Sequence, residues 1–108
     1  MSTKINSSDG EADVDVEQLD LIGDACARSI LTAASTGPRT AKELTAKTES
    51  SAATVYRRIN SLLDTELLEE TVRFDDDGSH TTAYETAIEE VRVNISVDGI
   101  DVNITSID

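Results

Sequence analysis

The chain has 108 residues and a formal net charge of -13, with 22 Asp and Glu against nine Lys and Arg. That length suits one small domain, and a single cysteine, Cys26, excludes an intrachain disulfide. No apolar run approaches the ~20 residues of a membrane span, and the polar start "MSTKINSSDGEADVD" carries no hydrophobic signal segment. A cytoplasmic protein without a membrane partner is therefore expected. Charge of one sign repels itself at low salt. At molar salt the Debye length falls to ~3 Å, so this acidic, lysine-poor composition predicts adaptation to high salt.

Residues 1–15 read as a disordered acidic tail, because Ser, Asp and Gly dominate and no apolar period is visible. From Val16 onward, "VEQLDLI" predicts one or two helical turns. Asp24 is the expected N-cap of the next helix. There Ala27, Ile30, Leu31 and Ala34 fall at i, i+3, i+4 and i+7, one apolar face. Gly37 and Pro38 stop it. Thr40 and Glu43 form a capping box for a short helix with Ala41, Leu44 and Ala46 inward. Ser51 caps a third helix that runs to about Asp64. At about 100° per residue, Val55, Ile59 and Leu62 form its core stripe. Ala53, Arg57 and Asn60 lie opposite, Tyr56 flanks them, and Arg58 falls near the core edge.

Beyond Asp64 the apolar period changes to two. "LLEETVRF" predicts a strand with Leu68, Val72 and Phe74 at alternate positions, and "TTAYETAI" returns as its partner across the loop "DDDGSH". In the last segment, Asp98-Gly99 signals a two-residue type I′ turn. That turn would pair Val97 with Ile100, Ile95 with Val102 and Val93 with Ile104. All six lie on one face, with Arg92, Asn94, Ser96, Asp101 and Asn103 on the other. A lone hairpin with one apolar face is marginal in water. Its cover is expected from the domain's own helices or from the same hairpin of a second subunit.

Charge is segregated along the chain. Between Pro38 and Leu63, five cations (Arg39, Lys42, Lys47, Arg57 and Arg58) meet two anions (Glu43 and Glu49), while the remainder holds four cations and 20 anions. DNA phosphates attract such a cationic stretch. A B-DNA major groove, ~12 Å wide, admits one helix. Arg57 suits a bidentate contact with guanine and Asn60 a contact with adenine. Tyr56, Thr40 and the helix N-termini suit phosphates.

No catalytic constellation is present. There is one histidine, no Gly-rich phosphate loop, and no nucleophile with a base at hand, so no enzyme activity is expected. Cys26 reads as a small apolar residue beside Ile30. Cys26 and His80 each stand alone, so neither a metal nor another cofactor is predicted. Asp75 to Asp77 read as solvated acidic surface.

At residue level, "LIGDACARSILTAAS", "RTAKELTAKTESSAATVYRRINSLLDTELLEE" and "VRFDDDGSHTTAYE" together resemble the ArsR-like regulators of halophilic archaea. The resemblance spans roughly residues 19–88 and is most specific at "Thr-Val-Tyr-Arg-Arg-Ile", followed by Leu62 and the Leu67–Leu68 start of a strand. It implies a winged helix-turn-helix that binds DNA as a dimer. Thr40 would begin the positioning helix, Ser51 to Arg57 (with Ala53 and Thr54) would be the reading end of the recognition helix, and residues 75–80 would be the wing tip. The chain departs from the family in lacking cysteine or histidine pairs and in having an acidic wing tip.

These readings predict an α+β winged helix-turn-helix with three to four helices, a wing hairpin and a C-terminal β-hairpin. Residues 1–15 would be the tail, 16–90 the DNA-binding domain, and 91–108 a dimerisation element or core cover. The expected function is a homodimeric, sequence-specific transcriptional regulator on double-stranded DNA, acting by repression. The alternative is a protein-interaction module of the same fold, docking on a larger transcription complex with its acidic surface.

Overall fold

The computed structural model describes the backbone of residues 2–4 and 11–107 and the side chains from Val16 to Ile107. It is an α+β arrangement of four α-helices followed by two antiparallel hairpins. The elements are β1 (Ser2–Lys4), α1 (Glu11–Ile22), α2 (Ala25–Ala33), α3 (Ala41–Lys47), α4 (Ala52–Asp64), β2 (Leu68–Phe74), β3 (His80–Thr86), β4 (Ile88–Ser96) and β5 (Gly99–Ser106). A 3-10 turn at Ala34–Thr36 extends α2. No helix among the described residues is long and apolar enough to cross a membrane.

The start of the chain differs from the expected tail. α1 begins at Glu11, and β1 pairs antiparallel with β5, Thr3 opposite Val102. The β5 edge offers backbone groups that a short polar strand can take without any apolar period to announce it. The rest of the expected tail, residue 1 and residues 5–10, lies outside the described residues.

Local signals built the helices where they were expected. Asp24 caps α2 by accepting the Ala27 N–H at 2.8 Å. Thr40 and Glu43 form the reciprocal capping box of α3, at 3.1 and 2.9 Å. Ser51 caps α4 by accepting the Thr54 N–H at 3.2 Å. The end of α4 is a Schellman motif without its usual glycine. Leu67 N–H donates to the Leu62 carbonyl at 3.0 Å and Glu66 N–H to that of Leu63 at 3.1 Å. Glu66 carries the required left-handed backbone, with φ 64°.

The core is aliphatic. Ala27, Ile30, Leu31 and Ala34 from α2 and its extension meet Ala41 and Leu44 of α3, Val55, Ile59 and Leu62 of α4, and Leu67 and Leu68. Ala46, expected inward, is exposed. It sits in the last turn of a seven-residue helix, past the part that crosses the core. Cys26 is half-buried and packs against this cluster.

The first hairpin pairs Leu68 with Thr86 and Phe74 with His80. Its expected inward face holds only at the base. Leu68 and Thr86 are buried, whereas Val72 and Phe74 are exposed. Farther out the opposite face meets the helices, where Ala83 is fully buried and Arg73 reaches Glu43 of α3. One backbone bridge also ties the hairpin to the chain ahead of α3, with Arg39 and Tyr84 exchanging N–H···O bonds of 2.9 and 2.8 Å.

The second hairpin keeps the expected faces but not the expected register. Ile95 lies opposite Ile100, Val93 opposite Val102, and Val91 opposite Ile104, so the tip is Val97-Asp98. Positive φ falls on Gly99, at 130°, and not on Asp98. A type I′ turn needs it at both central residues, so that turn does not form. The slip moves each partner by two positions, which preserves the face of every side chain. Apolar residues still meet apolar residues. Val102 is buried and Ile104 packs on the core, but Val93, Ile95, Val97 and Ile100 remain exposed.

Candidate nucleic-acid interface

α4 presents two chemically distinct sides. Val55, Ile59 and Leu62 are buried, while Ala53, Tyr56, Arg57 and Asn60 are exposed. Among the described residues, the Arg57 guanidinium takes part in no ion pair or side-chain hydrogen bond. Its backbone carbonyl, within α4, accepts the Ser61 hydroxyl at 3.2 Å. Ala53 keeps the first turn slim, so Arg57 and Asn60 project past it. Ser51 is exposed, with its hydroxyl committed to the helix cap and to the Thr54 hydroxyl at 3.1 Å. Thr54 is half-buried.

Three residues expected at the interface have partners within the fold. Arg58 is bidentate to Asp24, Nε to Oδ2 at 3.0 Å and Nη2 to Oδ1 at 3.3 Å. The pair holds the Asp24 carboxyl below its ordinary range, chiefly through the Arg58 hydrogen bond and then through the Ala27 N–H. Arg39 closes the end of α2, donating from Nε to the Ala33 carbonyl at 3.1 Å and from Nη2 to the Thr36 hydroxyl at 3.0 Å. The Ala33 carbonyl is one of the backbone groups that lack an intrahelical partner at a helix C-terminus. Thr40 is buried, and its hydroxyl accepts the Glu43 N–H. Sequence position alone placed all three in the cationic stretch. Their consumption depends on partners up to 34 residues away.

Lys42 and Lys47 are exposed. Lys47 lines an open groove of about 530 Å³ together with Arg28, Ser29 and Thr32 of α2. Arg28 is thus a cation beside the expected set, although it precedes the cationic stretch in sequence. Its Nη1 donates to the Ile22 carbonyl at 2.9 Å, leaving the rest of the exposed guanidinium available. A helical pattern cannot reveal that α2 and the end of α3 converge.

Acidic neighbours are partly neutralised. Arg73 donates to Glu43 at 2.8 Å and lies 3.7 Å from Asp75. The Arg73 hydrogen bond, followed by the Thr40 N–H, lowers the Glu43 carboxyl to about 2. At the β2–β3 tip, Asp77 Oδ1 accepts the Ser79 hydroxyl at 2.6 Å and the Ser79 N–H at 2.9 Å, which lowers its pKa. Asp75 Oδ2 accepts the Ser79 and Thr81 hydroxyls. These carboxylates organise the tip and keep its negative charge. No group of three or more metal-ligating side chains occurs among the described residues.

The exposed set is therefore Lys42, Lys47, Ser51, Ala53, Tyr56, Arg57 and Asn60, with Thr54 at its margin. An unpaired guanidinium and a carboxamide one turn apart on a free helix face can satisfy base edges, and the outlying ammonium groups can satisfy phosphates. Compared with protein-family models and with curated proteins, the chain shows no match.

Proposed function

We propose that the chain is a winged helix-turn-helix regulator that inserts α4 into the DNA major groove. The observation that carries this reading is Arg57, an exposed guanidinium with no partner among the described residues in a chain of net charge -13. Elsewhere on the same helix the neighbouring Arg58 is tied to Asp24. An acidic protein that leaves one cation unpaired on a slim helix face has a surface suited to a polyanion. In this reading α3 positions α4, and Arg57 and Asn60 face base edges. Lys42 and Lys47 approach phosphates, and β2–β3 is the wing.

Two copies would place their α4 helices about one DNA turn apart, ~34 Å, on a roughly palindromic site. The exposed, uncharged Val93, Ile95, Val97 and Ile100 supply the self-contact. Molar potassium screens the repulsion between two acidic copies. Repression by occlusion of a promoter, in the cytoplasm of a salt-adapted cell, fits this arrangement.

The test begins with selection of bound duplexes from a random pool in high-potassium buffer. Mobility shifts then compare the wild type with Arg57→Ala. The variant should lose selectivity at one base position by roughly 1–3 kcal/mol, while Arg58→Ala keeps the same preference. Failure to enrich any sequence, or unchanged selectivity in Arg57→Ala, would instead favour a protein-interaction module.

A further inference from the structure

The chain contains one Phe, two Tyr and no Trp. None of the three aromatic side chains belongs to the buried core, which is wholly aliphatic. Tyr84 is half-buried against that core, Tyr56 is exposed on α4, and Phe74 shares a hairpin face with Tyr84. In the β2–β3 register Glu70 lies opposite Tyr84, Val72 opposite Thr82, and Phe74 opposite His80, so these six side chains share one face. Phe74 and His80 meet edge to face with ring centroids 4.5 Å apart. Phe74 is 70% exposed and Val72 is 53% exposed. Tyr84 is raised above its usual range by burial, then by the Glu70 charge and the Tyr56 phenol.

A thin aliphatic core would gain from burying a phenylalanine, yet the sole Phe stays outside. Contiguous exposed apolar groups mark contact surfaces, and aromatic residues are enriched where proteins meet. Charge then narrows the partner. Glu70 lies within the stripe, and Asp76 and Asp77 stand in the loop at its tip, whereas the Asp75 carboxylate turns to Arg73 and Thr81 on the other face. That rim repels a nucleic-acid backbone, and it repels the same face of a second copy.

We propose that the exposed β2–β3 face is a docking site for a cationic, apolar segment of another protein, with Val72, Phe74 and His80 as the seat and Glu70, Asp76 and Asp77 as the rim. At molar salt the rim acts only over ~3 Å, so apolar contact with Phe74 supplies most of the affinity and the carboxylates supply discrimination.

The test uses the full chain in molar potassium chloride and three labelled short peptides: alternating Leu and Lys, alternating Leu and Glu, and alternating Ser and Lys. Fluorescence anisotropy measures binding, and amide chemical shifts locate it. The Leu-Lys peptide should bind, with shifts concentrated at residues 72–74 and 80–84, and each of the others should bind at least roughly tenfold more weakly. Phe74→Ser and, separately, Val72→Ser should weaken the Leu-Lys peptide, the former by roughly tenfold, with the remaining amide spectrum preserved. Equal binding of the Ser-Lys peptide, undiminished binding by Phe74→Ser, or shifts centred on β4–β5 would overturn the proposal. So would a Phe74→Ser variant whose loss of duplex-DNA affinity matches that of Arg57→Ala, since the face would then belong to DNA. If the wild type selects no duplex at all, the DNA reading fails by itself and the peptide titration still decides this one.

Discussion

Arg58 grips the carboxylate of Asp24 while that same carboxylate caps α2. Oδ2 accepts both the Ala27 N–H, at 2.8 Å, and Arg58 Nε, at 3.0 Å. One side chain thus fixes the start of α2 and its packing against α4. Both side chains are more than a quarter exposed, so solvent screens the pair and the cap supplies the larger share. Asp24→Ala should cost roughly 1–2 kcal/mol, about 1 of it from the lost cap and the rest from the ion pair. Arg58→Ala should cost under about 1 kcal/mol. Denaturant unfolding in molar potassium chloride measures both, and an Arg58→Ala loss larger than that of Asp24→Ala would contradict this division.

Glu43 predicts a specific pH dependence. Its carboxyl is lowered from 4.5 to about 2 by Arg73 and the Thr40 N–H. Between those values the unfolded chain binds a proton that the folded chain does not. The stabilisation is complete above pH 4.5 and disappears as the pH falls toward 2. Arg73→Gln should raise the folded value toward 4.5 and flatten the stability profile across that window relative to wild type. Denaturant midpoints measured at several pH values for both proteins test this, and parallel profiles would refute it.

Glu66 occupies a backbone conformation that costs a residue with a Cβ roughly 1 kcal/mol or more. Glu66→Gly should stabilise the protein by roughly 0.5–1 kcal/mol after the extra freedom of the unfolded glycine is counted. Glu66→Val, β-branched at positive φ, should destabilise it. A shift in thermal midpoint of opposite sign for the two variants is the expected result.

The C-terminal ribbon carries the proposed self-contact. Ile95 is 79% exposed, so Ile95→Glu should change the stability of a single subunit by under about 0.5 kcal/mol. It should nevertheless shift sedimentation in molar potassium chloride from dimer to monomer. A wild type that sediments as a monomer at micromolar concentration, or an Ile95→Glu dimer, would remove this ribbon as the contact.

The helix starts were legible because a cap is a short-range event. Asp24, Thr40 with Glu43, and Ser51 each meet backbone groups within three residues. The faces of α4 were legible for a similar reason, since 3.6-residue periodicity sorts Val55 from Arg57 without knowledge of any neighbour. The second hairpin shows the limit. Alternation fixed which side chains share a face, but a two-position slip leaves that pattern unchanged. The register therefore rested on the turn, where positive φ fell on Gly99 and not on Asp98. At Glu66 no glycine announced the left-handed residue that ends α4.

Local chain signals were enough to read the α+β order of helices then hairpins, the caps, the apolar and polar sides of α4, and the crowding of cations between Pro38 and Leu63. Which of those cations have partners followed from packing. Among the described residues Arg39 and Arg58 meet helix-end partners and the Arg57 guanidinium does not, and Phe74 stays on the exposed hairpin face. Periodicity and capping act within a turn or two of chain, whereas the partner of a long charged side chain is chosen by whichever distant segment the packing brings within about 3 Å.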